Sequence, residues 1–228
     1  MAETAPLHLR ELERCALTTD GLAREAGIRF RPNHPYLCVW HGYDRAVKAD
    51  LYSTCLGTSD GAYLVDPIPL RSKALAELVG SSRVAGIVVT NSNHHRVFAQ
   101  FARQFSLPIF AHRDTFPDKM PSQFRNVADG HEISGELRAI GIEDAVPGEI
   151  VLHYALGGGT LIVGDALVNF EPYGFTFLPG KYCSNEKEMR RSLRKLLDYK
   201  TERMLFAHGI PILSGACDRL RGLLGSDR

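Results

Sequence analysis

The sequence predicts an α/β protein built on mixed β-sheets. Its first part pairs candidate strands around an Asp-Gly turn, and its later part alternates candidate strands with amphipathic helices. Three short apolar runs, at 86–90, 160–163 and 203–207, are typical of strands that are buried on both faces. Each run is followed by a polar side chain at or just beyond its end, which is where an α/β protein places its functional groups.

The individual elements follow from local pattern. Alternating β-formers bounded by turn residues predict strands, and apolar residues that recur every three or four positions predict helices. The predicted strands are 36–40, 51–56, 62–65, 86–90, 107–111, 137–142, 150–156, 160–163 and 203–207. The predicted helices are 6–15, 71–79, 95–105, 186–199 and 214–224, and loops are predicted at 114–126 and 170–184.

Length and composition indicate one globular domain, 1–228, in which 1–35 is an N-terminal extension. The chain has 228 residues, of which 44% are hydrophobic and 23% charged, so it can bury a sizeable core. Its net charge of +1 argues against an extended nucleic-acid surface and against binding to acidic membranes. A small-molecule ligand or substrate is the expected partner, and nothing in the sequence indicates an oligomeric state.

The cysteines and the apolar segments bear on location. The five cysteines are scattered and form no Cys-x-x-Cys pair, which indicates free thiols in a reducing compartment. No apolar stretch approaches the ~20 residues that a membrane-spanning helix needs. The sequence therefore predicts a cytoplasmic protein.

Polar residues follow four predicted strands or turns and form the candidate site. They lie in the segments Thr90-Asn91-Ser92-Asn93-His94-His95-Arg96, Val146-Pro147-Gly148-Glu149, Gly164-Asp165 and His208-Gly209, and the earlier predicted hairpin ends in Asp66-Pro67. The order and spacing of these segments resemble the metallo-β-lactamase superfamily over 36–224, and 90–96 resembles its metal-binding motif Thr-His-x-His-x-Asp-His.

The resemblance implies a metallo-β-lactamase-like four-layer αβ/βα sandwich with two mixed β-sheets. It also implies hydrolysis of esters, thioesters, amides or phosphodiesters, with Asp165 and His208 as retained metal ligands. The other ligand positions depart from the family motif. Asn91 and Asn93 stand where the first two histidines belong, His95 where the aspartate belongs, Arg96 where the next histidine belongs, and Glu149 where a later histidine belongs.

The departures leave two functions open. A guanidinium about 4 Å from a divalent ion repels it by roughly 8 kcal/mol at an effective dielectric of about 20, so a two-metal centre is disfavoured. The first alternative is a hydrolase with at most one Zn, Mn or Fe ion and with Arg96 and Asp165 as catalytic residues, Arg96 holding an anionic substrate. Its predicted metal ligands are His95, Glu149, Asp165 and His208, with His94 in place of His95 left open.

The second alternative needs no metal. Arg96 would replace the ion by pairing with Asp165 and Glu149, because a planar guanidinium can satisfy buried carboxylates. The protein would then be a pseudoenzyme or a binding protein that holds a ligand in the same cleft.

Overall fold

The computed structural model describes residues 17–18, 36–70 and 83–225. The predicted helices at 6–15 and 71–79 therefore lie outside the described residues. The strands are β1 Leu17–Thr18, β2 Tyr36–Asp44, β3 Ala49–Thr58, β4 Gly61–Val65, β5 Val84–Val88, β6 Ile109–Ala111, β7 Phe124–Asn126, β8 Glu132–Ser134, β9 Leu137–Gly141, β10 Ile150–Tyr154, β11 Thr160–Val163, β12 Leu167–Phe170, β13 Gly174–Phe177 and β14 Arg203–Phe206. The α-helices are α1 Phe98–Phe105, α2 Glu186–Ser192 and α3 Ala216–Gly225.

Two mixed sheets carry the described chain. The first has the order β1-β2-β3-β4-β5-β6-β7, antiparallel from β1 to β4 and parallel from β4 to β7. The second has the order β14-β11-β10-β9-β8, in which β11 and β14 are parallel and the remaining pairs antiparallel. A separate hairpin pairs β12 with β13. Each sheet therefore has a pair of neighbouring parallel strands whose carboxyl ends lie at one edge.

Three apolar clusters define four layers. One cluster lies between the sheets, because it combines side chains of β2 to β5, such as Leu56 and Val88, with side chains of β9, β10, β11 and β14, such as Leu152. A second covers the other face of the first sheet with α1, and a third covers the other face of the second sheet with α2 and α3. The predicted fold class, a helix–sheet–sheet–helix sandwich with two mixed β-sheets, is confirmed.

The predicted elements differ from the observed ones mainly where contacts with distant segments determine the secondary structure. The loop predicted at 170–184 contains half of the β12–β13 hairpin, and the loop predicted at 114–126 ends in β7, a short strand at the edge of its sheet. The helix predicted at 95–105 begins only at Phe98, because 91–97 forms a series of turns. Those turns carry the candidate site. No helix in the described ranges is long and apolar enough to cross a membrane.

Candidate metal centre

The ends of four strands converge on one point of the molecule. Asp66 directly follows β4, the segment 90–96 follows β5, Asp165 follows β11 and His208 follows β14. Within each sheet the two strands concerned are parallel neighbours, so their carboxyl ends must lie side by side. The sandwich then brings the two pairs of strand ends together, as the sequence predicted for the segments at 90–96, Asp165 and His208.

His94, Asp165 and His208 form a compact cluster of three potential ligands, whose donor atoms lie within 4.8 Å of one another. Nε2 of His94 is 3.0 Å from Oδ1 of Asp165 and 3.3 Å from Nε2 of His208. Nε2 of His208 is 3.3 Å from the same Asp165 oxygen. The side chains of His94 and Asp165 are buried and that of His208 is 22% exposed, so His208 marks the side of the cluster that solvent reaches.

Asp66 fixes the orientation of His94. Its Oδ2 is 2.9 Å from Nδ1 of His94 and accepts a 2.5 Å hydrogen bond from the Thr90 hydroxyl, while its Oδ1 accepts one from the Thr90 amide. Because a carboxylate only accepts hydrogen bonds, Nδ1 of His94 donates to Asp66, and Nε2, which faces Asp165 and His208, donates to Oδ1 of Asp165. Sequence reasoning placed Asp66 at a strand end but missed its role. The available signal was that Asp66, like Asp165, is a lone carboxylate directly after a buried strand.

The charges of this cluster support one another. Burial by itself would lower the pKa of His94, but the carboxylates of Asp66 and Asp165 outweigh it and raise the pKa to about 9. Burial would raise the pKa of Asp165, but the charges of His94 and His208 and their hydrogen bonds hold it well below its usual range. The same balance between burial and His94 leaves the pKa of Asp66 lowered. Both carboxyl groups are therefore ionised at neutral pH.

His95, a predicted ligand, lies outside the cluster. Its Nε2 donates a 2.7 Å hydrogen bond to the backbone carbonyl of Thr115, and its ring stacks on Phe116 with centroids 4.8 Å apart. The segment 91–97 turns instead of continuing as helix, so it directs His94 into the cluster and His95 towards Phe116. Of the two adjacent histidines between which the sequence left the choice open, the structure places His94 in the cluster.

Glu149, the fourth predicted ligand, supports the cluster from behind instead of joining it. Its Oε1 accepts hydrogen bonds from the backbone amides of Asp165 and Ala166, at 2.9 and 3.0 Å, and its Oε2 accepts one from the Asn91 side chain at 2.6 Å. Only 3% of Glu149 is exposed. Burial, followed by the charge of Asp165, raises the pKa of Glu149. Its lone pairs are committed to three protein donors, so it holds the turn that presents Asp165.

Arg96 does not form the predicted pair with Asp165 and Glu149. Within the described chain it makes no ion pair with either carboxylate, and its guanidinium binds backbone carbonyls instead. The physical reason is that both carboxylates already have donors, Glu149 from Asn91 and two amides and Asp165 from the histidines. The ion pairs of Arg96 with Asp165 and Glu149, which the metal-free alternative predicted, are therefore not formed.

The two asparagines that replace family histidines also act as hydrogen-bond donors. The Asn93 side-chain amide donates to Oδ2 of Asp165 at 2.9 Å, and the Asn91 amide donates to Glu149. Asn91 in turn accepts a hydrogen bond from the backbone amide of Asn93 through its Oδ1. These two amides satisfy lone pairs of both carboxylates.

Gly164 lies against this hydrogen-bonded network. A Cβ atom there would lie 2.7 Å from the Thr90 hydroxyl, 2.8 Å from Oε1 of Glu149 and 2.9 Å from the Asn91 amide nitrogen. We expect Gly164→Ala to lower the free energy of unfolding by about 1–3 kcal/mol, as overpacking of a filled interior does. Denaturant unfolding beside Gly135→Ala, where a Cβ meets nothing within 4 Å, measures it. Equal losses for both variants would contradict the prediction.

Comparison with known proteins agrees with the fold. The family model of the metallo-β-lactamase superfamily matches residues 31–226. The crystal structure of the DIM-1 metallo-β-lactamase is 14% identical, with a TM-score of 0.66 over 88% of this chain and 96% of that one. A metallo-β-lactamase family protein from Thermus thermophilus is 18% identical, with a TM-score of 0.60 over 83% of this chain and 78% of that one.

An archaeal superfamily protein from Sulfolobus tokodaii is 11% identical, with a TM-score of 0.59 over 77% of this chain and 79% of that one. At these identities the likeness to solved structures concerns the fold alone. No curated protein matches the sequence. Because the family model spans most of the chain and the sandwich is the one those structures share, the chain belongs to the metallo-β-lactamase superfamily.

Proposed function

We propose that the protein is a hydrolase that works with a single divalent metal ion held by His94, Asp165 and His208. The observation that carries the proposal is the convergence of three good ligands from three strand ends on one point, with one histidine open to solvent. Catalytic zinc sites commonly use three protein ligands of this kind and leave a further position for water or substrate.

The donor set fits such an ion. The donor atoms are separated by 3.0 to 3.3 Å. Ligands about 2.0–2.1 Å from zinc in a tetrahedral arrangement are separated by roughly 3.3 Å, so the observed spacing needs little adjustment. The contact between His94 and Asp66 also supports the proposal, because histidine ligands usually donate their second ring nitrogen to a carboxylate, which fixes the tautomer.

Within the part of the chain that the structure describes, one set of donors is suited to an ion. The positions that resemble the family's remaining ligand positions hold Asn91, Asn93 and Glu149, whose polar atoms bind one another or Asp165. When bound, a metal ion would supply a Lewis acid and a water of lowered pKa at neutral pH. The side chains of the protein contribute positioning: Asn93 holds Oδ2 of Asp165, which leaves Oδ1 directed towards the two histidines.

Metal analysis tests the proposal directly. Protein purified without a His tag or chelating column should contain, or take up from excess Zn, Mn or Fe, about one equivalent of metal by plasma mass spectrometry. Removal of the metal by a chelator should abolish hydrolysis in a screen of esters, thioesters, amides and phosphodiesters, and its return should restore it. Two equivalents would contradict the single-metal site, and no uptake would exclude the proposed hydrolase.

A metal-free binding protein is the second candidate, and one observation favours it. Both ring nitrogens of His94 contact a carboxylate, Asp66 at 2.9 Å and Asp165 at 3.0 Å, so an imidazolium at this position balances two buried charges. In this candidate the cation that replaces the metal is His94 and not Arg96. The same metal analysis separates the two functions, since this one requires a protein that takes up no metal at all.

A further inference from the structure

The guanidinium of Arg96 lies between β3 and the carboxyl ends of β4 and β14. Nη1 donates to the backbone carbonyls of Tyr52 at 2.6 Å and Asp66 at 2.9 Å, and Nη2 donates to the carbonyl of Ala207 at 3.4 Å. Tyr52 belongs to β3, Asp66 follows β4, and Ala207 follows β14. One side chain thus joins the edge of the first sheet to the edge of the second.

Two of these carbonyls belong to the parts of the backbone that present the metal-binding side chains. Asp66 holds His94 through its carboxylate, and Ala207 immediately precedes His208. The backbone amide of Tyr52 also donates to the carbonyl of Ala207 at 2.9 Å, so this carbonyl receives one donor from the backbone and one from Arg96. Movement of either sheet edge would therefore change the distance between His94 and His208.

The backbone of Arg96 adopts a conformation that costs free energy. Arg96 has φ +39°, in the left-handed region that residues with a side chain seldom adopt. Such conformations persist where surrounding contacts determine them, and they cluster at functional sites. Here the three hydrogen bonds from the Arg96 guanidinium to backbone carbonyls hold the residue in this conformation.

We propose that Arg96 is a positioning residue that sets the separation of His94 and His208 by joining the two sheet edges, an inference that rests on the proposed metal site. A guanidinium suits this role because its rigid fork of donors can bind several carbonyls at once, which a lysine ammonium on a flexible stem does not match. Since its partners are carbonyls, Arg96 places a cation beside the cluster without taking the Asp165 carboxylate from the histidines.

Metal affinity measured beside stability tests the proposal. We expect Arg96→Ala to raise the Kd for Zn²⁺, determined by chelator competition, by at least about tenfold, in the range found when groups behind metal ligands are removed. Arg96→Lys should weaken binding similarly, because it keeps the charge but loses the fork. Full recovery of the Kd by lysine would show that charge alone is needed and would overturn the role of the fork.

Arg203→Ala is the matched control. Arg203 lies at the start of β14, at the opposite end of the strand from His208, and its guanidinium also bridges elements by donating to the Thr160 hydroxyl and the Gly157 carbonyl. Its loss should lower Tm and leave the Kd for Zn²⁺ within about twofold. Arg96→Ala with an unchanged Kd, or both variants with the same change in Kd, would overturn the positioning role.

Ring nitrogen NMR of the metal-free protein separates this proposal from the proposed function. If the wild-type protein takes up no Zn²⁺, the proposed hydrolase fails, but the positioning role still predicts shifted Nε2 resonances for His94 and His208 in Arg96→Ala and not in Arg203→Ala. If Arg96→Ala does not fold, Arg96→Lys is compared with Arg203→Ala in the same way. Unchanged histidine resonances in the Arg96 variant would overturn the positioning role.

Discussion

His94→Ala is expected to weaken metal binding by at least about a hundredfold, whereas His95→Ala leaves the affinity close to that of the wild type. Loss of groups that merely orient a ligand costs 10–100-fold in affinity, so loss of a ligand itself should cost at least the upper figure. His95 is the natural control, because it is the adjacent residue with the same side chain, and its Nε2 is committed to the Thr115 carbonyl.

The two variants also differ in their expected effect on stability. His94→Ala leaves Asp66 and Asp165 buried without their shared cationic partner, and breaking a buried ion pair costs about 3–5 kcal/mol. His95→Ala removes one hydrogen bond and the stacking on Phe116, a loss of about 1–3 kcal/mol. Denaturant unfolding of the metal-free proteins measures both.

His208→Ala keeps the ligand prediction testable if His94→Ala fails to fold. The His208 side chain is 22% exposed, so its removal should be tolerated better, and it should also weaken metal binding by at least about a hundredfold. Wild-type affinity in either the His94 or the His208 variant, or its loss in His95→Ala, would contradict the assignment of ligands made from the structure.

The features that could be read from the sequence are those set by local pattern. A short, largely apolar run followed by a polar residue predicted the strand ends that carry Asp165 and His208, because a strand buried on both faces is apolar throughout and polar residues follow where it leaves the sheet. The same reasoning predicted the β3–β4 hairpin from its Asp-Gly turn. The sandwich followed from the resemblance in the order of these motifs.

The features that could not be read depend on contacts between distant segments. Whether His94 or His95 enters the cluster is decided by the turns at 91–97, and a change of one residue in that register would exchange them. Arg96 was expected to pair with carboxylates because their charges are opposite, but the nearest acceptors in space are three carbonyls from three different segments. Sequence alone gives the charge of a side chain and not the donors already committed to its candidate partners.

Glu149 allows a test of whether the hydrogen bonds that a buried carboxylate accepts determine its role. We expect Glu149→Ala to lower the free energy of unfolding by at least about 3 kcal/mol, because it leaves the amides of Asp165 and Ala166 and the side chain of Asn91 without an acceptor, and each buried unsatisfied donor costs about 1–3 kcal/mol. Denaturant unfolding measures the loss. A loss below about 1 kcal/mol would contradict the role assigned to this carboxylate.

Exchanging the carboxylate of Glu149 and the amide of Asn91 tests the same hydrogen bond while the volumes of both side chains stay nearly constant. Glu149→Gln alone places two amide donors against each other, and rotation of the Asn91 amide would cost the hydrogen bond that it accepts from the Asn93 backbone. Asn91→Asp alone places a second buried carboxyl group against Glu149, where the wild-type Nδ2–Oε2 distance is 2.6 Å, and two carboxyl groups this close cannot both be ionised.

The double variant Asn91→Asp with Glu149→Gln restores a donor facing an acceptor, keeps the total charge and retains an acceptor for the Asn93 amide. It should therefore be more stable than the sum of the single losses predicts, by about 1–3 kcal/mol in a double-mutant cycle. Additive losses would show that the Asn91–Glu149 hydrogen bond does not hold the turn. A favourable coupling would show that this asparagine and this glutamate, which stand where the superfamily motif has histidines, now act as one buried hydrogen-bonded unit behind Asp165.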